Sequence, residues 1–498
     1  MNEECRYTSA ALIADKIFSL TKETEDAFPL ATILFNQQHY LRAASIMERP
    51  AHISDIKCRR LAVRSLIAAQ QYDRALGLIL DTDAVLLCLQ GDVRCQQNSL
   101  SKAKIAYMAA LKLDATCFEA YNSLLTHKLL SQAEETELVR KLDCSAMGHC
   151  EDLFKTLCLT KLSGSGTCRD LVYDSIAHLT EVFELGDNPD VLRAKAEMLL
   201  TDYRFAECRA TCEQVIANDP CNYAIYLQYA CSLYELGETN ALFKVGHKLA
   251  QQAPHLAVTW VTIGAYYLNI DKPGEARRNF SKATLIDPSC MIAWLGFAHT
   301  FANEAEHERA ITAYSTAVRL FPGSHHPFLF LGMQYLHLNN LDLAAEYLEN
   351  AATMCGMSDP LVLNELSVLR YHNNDLDRAF DYIQKALQAL DKNKADRKTW
   401  VSIKANLGHI YRRMGKFDEA LEIFEEVARQ TPSTPDIWVA MGLIHMHQGD
   451  RDLAITCFND ALSVKKTDPV ATDMLNKIMA DMDPAEPPST NFLGASLN

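Results

Sequence analysis

Three sets of side chains stand at spacings that could do chemistry. Cys208 and Cys212 are one helical turn apart, the spacing of a redox or metal-binding thiol pair. His445 and His447 flank Met446 and offer two imidazoles and a thioether to a metal ion. Thr431-Pro432 and Thr434-Pro435 fit proline-directed phosphorylation. Each set also has a plainer reading. The two cysteines fall on core positions of the repeat described below, where a thiol is a small apolar side chain. Histidines two residues apart on a helix point in different directions. Proline marks a turn between helices. The 16 cysteines are scattered with no C-x-x-C, so no clustered metal site is expected. No G-x-x-x-x-G-K-[ST] occurs, and Gly164 and Gly166 open no phosphate loop. His307-Glu308 lacks the second histidine of H-E-x-x-H, and G-x-S-x-G is absent. The expectation is a protein with no catalytic residues, no metal and no cofactor.

The elements behind these residues are helices. Of 498 residues 49% are hydrophobic, yet Gly (19) and Pro (16) make up only about 7%, against roughly 12% in average usage. Such a chain is too apolar for disorder and too poor in turn formers for a strand-and-turn protein. The net charge is −15 and no stretch is strongly basic, which argues against a nucleic-acid partner. Met1 to Leu20 carries Glu3, Glu4 and Asp15 and reads as no signal peptide. The uncharged stretches Leu249 to Ile270 and Leu320 to Leu341 each contain proline and several Gln, Asn or His, so no membrane span is expected. The thiols are then expected to stay reduced, in the nucleus and cytoplasm.

A 34-residue period organises the chain. From Ala257, the residues Trp260, Ile263, Gly264, Tyr267, Ala276, Phe280, Ala283 and Pro288 fall at positions 4, 7, 8, 11, 20, 24, 27 and 32. One period on, Trp294, Phe297, Ala298, Phe301, Ala310, Tyr314, Ala317 and Pro322 occupy the same places. The register continues through Phe328, Leu331 and Gly332, then Leu363, Leu366 and Ser367. A seven-residue insertion around Asp391 to Lys398 follows, after which Leu407, Gly408 and Phe424, then Trp438, Gly442 and Phe458, resume it. It extends backwards through Tyr226 and Tyr229 to Leu192, Ala196, Cys208 and Cys212. Positions 4, 7, 8 and 11 form one helical face, and 20, 24 and 27 a second. A small residue at 8 lets the two helices approach, with Ala at 20 opposite, and Pro at 32 ends the second helix. The pattern resembles the tetratricopeptide repeat. The fold class it implies is all-α, a tetratricopeptide-repeat superhelical solenoid. In the copy from Tyr223, Leu242 at position 20 and Gly246 at 24 predict an irregular or loosely packed second helix.

The N-terminal third repeats less regularly: Leu30 to Met47, Ala62 to Ile79 and Leu87 to Ala110 each fit one copy. The expected organisation is a degenerate repeat block over 1–143 that dimerises and an irregular helical junction with a flexible loop over 144–188. The regular repeats follow over 189–482, with a disordered tail over 483–498. In a tetratricopeptide superhelix the first helices line a concave face. By that analogy the candidate groove residues are His299, Met333, Leu336, His337, Asn364, Val368, Tyr371, His372, His409, Arg412, Arg413, Leu443 and His447. Asn406, one place before the core residue Leu407, is a candidate clamp for a peptide backbone.

Several stretches carry a closer resemblance. They are Ala109-Ala110-Leu111-Lys112-Leu113-Asp114 with Cys117-Phe118-Glu119-Ala120, Gln132-Ala133-Glu134-Glu135, and Ala276-Arg277-Arg278 with Ser281-Lys282-Ala283-Thr284. Further ones are Asn406-Leu407-Gly408-His409 and Gly442-Leu443-Ile444-His445. Together they resemble the scaffold-subunit family of the anaphase-promoting complex known as cell-division-cycle protein sixteen, or subunit six. The resemblance implies a non-catalytic subunit of a ubiquitin ligase that controls mitotic progression. It implies a homodimer through the N-terminal repeats and stacking on sister tetratricopeptide subunits. It also implies a small helical subunit held in the C-terminal groove by Asn406, His409 and their neighbours. The connector near Asp81 to Asp83 is shorter than in relatives and their long tail is nearly absent, which puts regulation through phosphorylated tails in doubt. Two other readings are a co-chaperone-type adaptor for acidic tails, whose full Lys/Asn set is missing, and a sister subunit of the same complex. An enzyme's repeat region is a third, for which little chain follows the last copy.

Overall fold

Two short amphipathic helices joined by a tight turn are the unit from which this structure is built. The computed structural model describes residues 7–79, 82–164, 166 and 168–482. The tail expected over 483–498, and Asp81 of the short connector, lie outside the described residues. In the copy from Ala257, the first helix runs Ala257–Asn269 and the second Pro273–Ile286. Neighbouring copies pair Met291–Asn303 with His307–Leu320 and Pro435–Gln448 with Arg451–Val464. Eight such pairs follow one another from Pro189, and Pro469–Met482 lies over the last.

The small residue at position 8 does more than face Ala at 20. A Cβ built on Gly264 would sit 2.8 Å from the Phe280 ring, one on Gly408 2.7 Å from Phe424, and one on Gly442 2.7 Å from Phe458. Each ring is the position-24 residue of the same copy, so the glycine makes the space that the ring fills. Where Ser367 replaces glycine, its hydroxyl donates to the Ala379 carbonyl at position 20, 2.7 Å away.

Two backbone features repeat with the period. The turn inside each copy closes on a left-handed residue at position 15: Tyr203, Gly237, Asp271, Ala305, Asn339, Asn374, Gly415 and Gly449. A left-handed residue just past a helix end returns its amide to the last carbonyls. Three of the eight are glycine, so Tyr203 and Ala305 hold a strained backbone that the packing on either side imposes. Gln38, Gln70 and Asn98 occupy the same turn in the degenerate copies. Between copies, the position-4 indole donates to the carbonyl of the preceding position-32 proline. Trp260 bonds Pro254 at 2.8 Å, Trp294 bonds Pro288 at 3.0 Å, and Trp438 bonds Pro432 at 3.1 Å.

The seven-residue insertion is absorbed as helix. Leu376–Asn393 has 18 residues and Arg397–Arg413 has 17, against 13 or 14 in regular copies. The irregular second helix expected in the copy from Tyr223 is in fact a regular 14-residue helix, Thr239–Gln252. Gly246 does not loosen it: a Cβ there would lie 3.2 Å from Ile263, so glycine is used for close packing.

The described residues divide into two compact units. Those within Met1–Thr201, Phe205–Leu338 and Thr353–Gly356 form the first; those within Asp202–Arg204, Asn339–Ala352 and Met357–Asn498 form the second. In the first unit one apolar core runs from Ala84 to Met198 and passes through Cys144, Cys158, Cys168 and Val172. The segment between the repeat blocks is therefore packed helix, Glu151–Leu159 and Cys168–Glu181, beside a short 3-10 turn, Ser145–Cys150. Ser163 is tied down by Glu135, whose carboxylate accepts from the Ser163 backbone N–H at 2.9 Å and its hydroxyl at 3.0 Å. Burial raises the Glu135 carboxyl above its usual range. Eleven of the fifteen free cysteines described are buried. Among the described residues no helix is long and apolar enough to cross a membrane.

The first unit also bonds to itself across a long stretch of chain. The Gly323 N–H donates to the Lys128 carbonyl at 2.7 Å. A Cβ on Gly323 would lie 2.1 Å from the Leu130 carbonyl oxygen, so both backbones must move if any side chain is added. Gly323→Ala is expected to destabilise the protein by about 1–3 kcal/mol. Gly274→Ala, where a Cβ meets nothing within 4 Å, is expected to be neutral or slightly stabilising. Urea unfolding midpoints of the two variants distinguish them; equal midpoints would contradict the contact.

Candidate functional site

The candidate groove residues lie on first helices and divide between the two units. His299, Met333, Leu336 and His337 belong to the first unit, on Met291–Asn303 and His326–His337. His299 is spent on packing. Its Nδ1 is 2.5 Å from the Tyr314 hydroxyl and its ring meets Phe330 edge-on with centroids 4.6 Å apart. Burial pushes its pKa down to about 4, so it stays neutral at physiological pH. Met333 and Leu336 are half-buried, and His337 is exposed and stacks on His307 with centroids 5.2 Å apart.

The remaining ten candidates are in the second unit, on Pro360–His372, Arg397–Arg413 and Pro435–Gln448. Four of them cooperate directly. Asn406 Nδ2 donates to Asn364 Oδ1 at 2.9 Å, and Asn364, 5% exposed, passes the chain on by donating to Glu365 Oε1 at 2.9 Å. The Arg413 guanidinium donates to the Tyr371 carbonyl at 2.8 Å and lies 4.6 Å from the centre of the Tyr371 ring. Both links join first helices of adjacent copies and hold them in register. Among the described residues nothing bonds the Asn406 Oδ1, which leaves this amide an acceptor for a peptide N–H.

His409 packs edge-on against Phe424, centroids 5.0 Å apart, and is held neutral with a pKa of about 4 by burial and then by Arg412. Val368 and Leu443 are half-buried; His372 and His447 are exposed, the latter over Phe417 with centroids 4.7 Å apart. The Nδ1 of His445 is buried and unbonded among the described residues. Cys208 and Cys212 are fully buried with Sγ atoms 4.0 Å apart.

Sequence reasoning missed Glu365. It is half-buried, and burial pushes its carboxyl up to about 7, against the counter-effect of the Asn364 amide. The available signal was position 6: Glu365 and Asn406 stand where other copies hold Thr262, Gly296 and Ala440. Five buried side-chain polar atoms lack a hydrogen bond among the described residues, on Gln228, Asn269, Arg370, Arg412 and His445. All five residues are on first helices. In the second unit, where Arg370, Arg412 and His445 stand, a wall apolar between polar groups not fully spent on the fold suits an extended peptide.

The tetratricopeptide repeat family model matches residues 262–325, 295–360, 329–394 and 406–470. The model for anaphase-promoting complex, cyclosome, subunit 3 matches residues 3–82. The chain is 33% identical over 500 residues to anaphase-promoting complex subunit cut9 of Schizosaccharomyces pombe, covering 96% of this chain and 74% of that one. It is 33% identical to subunit CDC16 of Saccharomyces cerevisiae, covering 95% of this chain but 60% of that protein's length. It is 30% identical to subunit 6 of Arabidopsis thaliana, covering 95% and 94%. The crystal structure of the APC/C hetero-tetramer Cut9–Hcn1 matches with a TM-score of 0.84 at 33% identity, over 96% of this chain and 94% of that chain.

The raised Glu365 pKa has a sign. The unfolded carboxyl ionises near 4.5 and the folded one near 7, so stability is fully present below about pH 4.5 and is lost as pH rises to about 7. Glu365→Gln keeps an oxygen for the Asn364 amide and removes the charge. The variant is expected to melt at the same temperature as the parent at pH 4.5 and several degrees higher at pH 7.5. A lower melting point at pH 7.5 would show that the carboxylate is stabilising where it sits.

Proposed function

Since the chain belongs to the family of anaphase-promoting complex subunit 6, also named cell division cycle protein 16, we propose that it is a non-catalytic scaffold subunit of that ubiquitin ligase, acting in mitotic progression. The observation that carries this reading is identity of 30–33% along about 95% of the chain to members from two yeasts and a plant. Its part in the ligase is to position other subunits: a stack of helix pairs offers long surfaces and little that could move a proton or a bond. The chain covers 60% of the Saccharomyces cerevisiae relative, and the partners below are proposed on that footing.

The groove of the second unit takes an extended peptide from a small helical subunit. The Asn364–Asn406 pair supplies backbone hydrogen bonds, and Val368, Tyr371 and Leu443 supply apolar contacts. The relative of known structure is a hetero-tetramer with a second protein, Hcn1, which supports a partner of this kind. The N-terminal repeats pair two copies of the chain. Tyr7–Thr21 leaves Leu12 (63% exposed), Ile17 (44%) and Leu20 (85%) in solvent, an apolar face that a second copy would cover. Sister tetratricopeptide subunits are the further partners; nucleic acid and membrane are not. The protein works in nucleus and cytoplasm, as its reduced-thiol cysteine usage suggests.

The match of residues 3–82 to the subunit 3 model favours one second reading, a sister subunit. The Schizosaccharomyces pombe subunit 3 is only 19% identical over 51% of the chain, so subunit 6 remains the better fit.

Two measurements follow. Affinity purification of the tagged chain is expected to recover the other tetratricopeptide subunits, and Asn364→Ala with Asn406→Ala to lose only the small helical subunit, weakened tenfold or more. Recovery of no ligase subunit would sink the scaffold reading. Light scattering of the full chain is expected to report a dimer at micromolar concentration, and Leu12→Glu with Leu20→Glu a monomer. An unaltered dimer would place the contact elsewhere.

A further inference from the structure

The copy formed by Ala84–Gln96 and Leu100–Leu113 lacks the cover that its counterparts have. The second helix before it, Tyr72–Gly77, has 6 residues, against 14 in regular copies such as Pro273–Ile286. Its position-4 and position-26 residues are also small. In the copy from Ala257 those positions hold Trp260 and Lys282, with the ammonium 3.2 Å from the centre of the indole ring. Here they hold Leu87 and Ala109. The space left is a cleft of about 570 Å³. Leu87, Ala106 and Ala109 form its floor, and Ile105 (69% exposed) and Leu113 (54%) line its open side.

The rim has one sign of charge. Arg94, Lys102 and Lys112 border the cleft and no carboxylate does. Among the described residues none of the three is ion-paired; Arg94 reaches only the Gln97 side-chain oxygen, at 3.2 Å. The adjoining cleft, which shares Lys112 and Leu113 with this one, contrasts with it: it is lined also by Glu134, Glu137 and Asp143, and there Lys104 is paired with Glu134 and Lys141 with Glu137. Three unpaired cations around an apolar floor, on a chain of net charge −15, mark a local choice rather than a general bias.

We propose that this cleft docks an acidic amphipathic helix from another polypeptide of the assembly. Apolar side chains three or four residues apart on that helix would enter between Ile105 and Leu113. Its carboxylates would meet Arg94, Lys102 and Lys112. A second copy of this chain is a poorer occupant. Its exposed apolar helix, Tyr7–Thr21, carries one Asp and one Lys, with no net charge to match the rim.

The inference rests on the scaffold reading, and the test separates the two. The tagged full chain, with a photo-crosslinking benzoylphenylalanine at the exposed position 105, is purified with its complex, irradiated and mapped by mass spectrometry. The expected cross-link is to a segment of another subunit with net negative charge and apolar residues at helical spacing. Lys102→Glu with Lys112→Glu is expected to cut its yield at least tenfold, as is raising salt from about 0.1 M to 1 M, where screening shortens to about 3 Å. Both lysines are exposed, so the reversal leaves the fold intact, which a thermal melt checks. A recovered complex with no cross-link at 105 overturns the docking proposal and spares the scaffold reading. So does a cross-link to a second copy, a basic segment, lipid or nucleic acid, or a yield that ignores the charge reversal. Failure to recover any complex overturns both.

Discussion

A pair of helices 13 or 14 residues long has two apolar faces and can cover only one of them by itself. Everything else in this molecule answers that deficit. The second helix of one copy and the first helix of the next share a layer, so each copy is stable only between neighbours. The layers are thin, and their spacing depends on one contact: a small residue at position 8 against a ring at position 24. At Gly264, Gly408 and Gly442 a methyl group would already overlap the ring. The position-4 indole then reaches the carbonyl of the preceding proline and fixes how one copy follows another.

Because core formation uses both helices of a copy, the outward face of the first helices is what remains for recognition. There the polar groups are arranged differently from those in the rest of the fold. The Asn406–Asn364–Glu365 chain and the Arg413–Tyr371 link hold adjacent first helices together. The nearby Arg412 and His445 carry buried nitrogens with no partner among the described residues. Leaving such groups unbonded costs about 1–3 kcal/mol each. A ligand that satisfied them would recover that cost. His299 in the first unit and His409 in the second are neutral and packed on aromatic rings, so each contributes shape rather than charge.

The less regular N-terminal half follows the same rule with parts missing. The left-handed turn residue persists at Gln38, Gln70 and Asn98 even where the side-chain pattern has faded. What fades is cover: a six-residue second helix and a Leu where others have Trp leave apolar surface at Ile105, Leu113 and along Tyr7–Thr21.

The sequence by itself determined the helical class, the 34-residue unit, its small and large positions and the family. These follow from local periodicity, because each copy contacts mainly the copies beside it and so writes its contacts at fixed spacing. It also marked Asn406, Tyr371 and Arg413 as belonging to one face. Three things were decided only in three dimensions. The insertion after Asp391 became extra helix because flanking helices could lengthen without disturbing the layers. Glu365 became a raised, half-buried carboxyl because the fold desolvates it by more than the Asn364 amide offsets. Gly323 met Lys128 and Leu130 across nearly two hundred residues, a contact set by how the copies accumulate their turn, which no local spacing records.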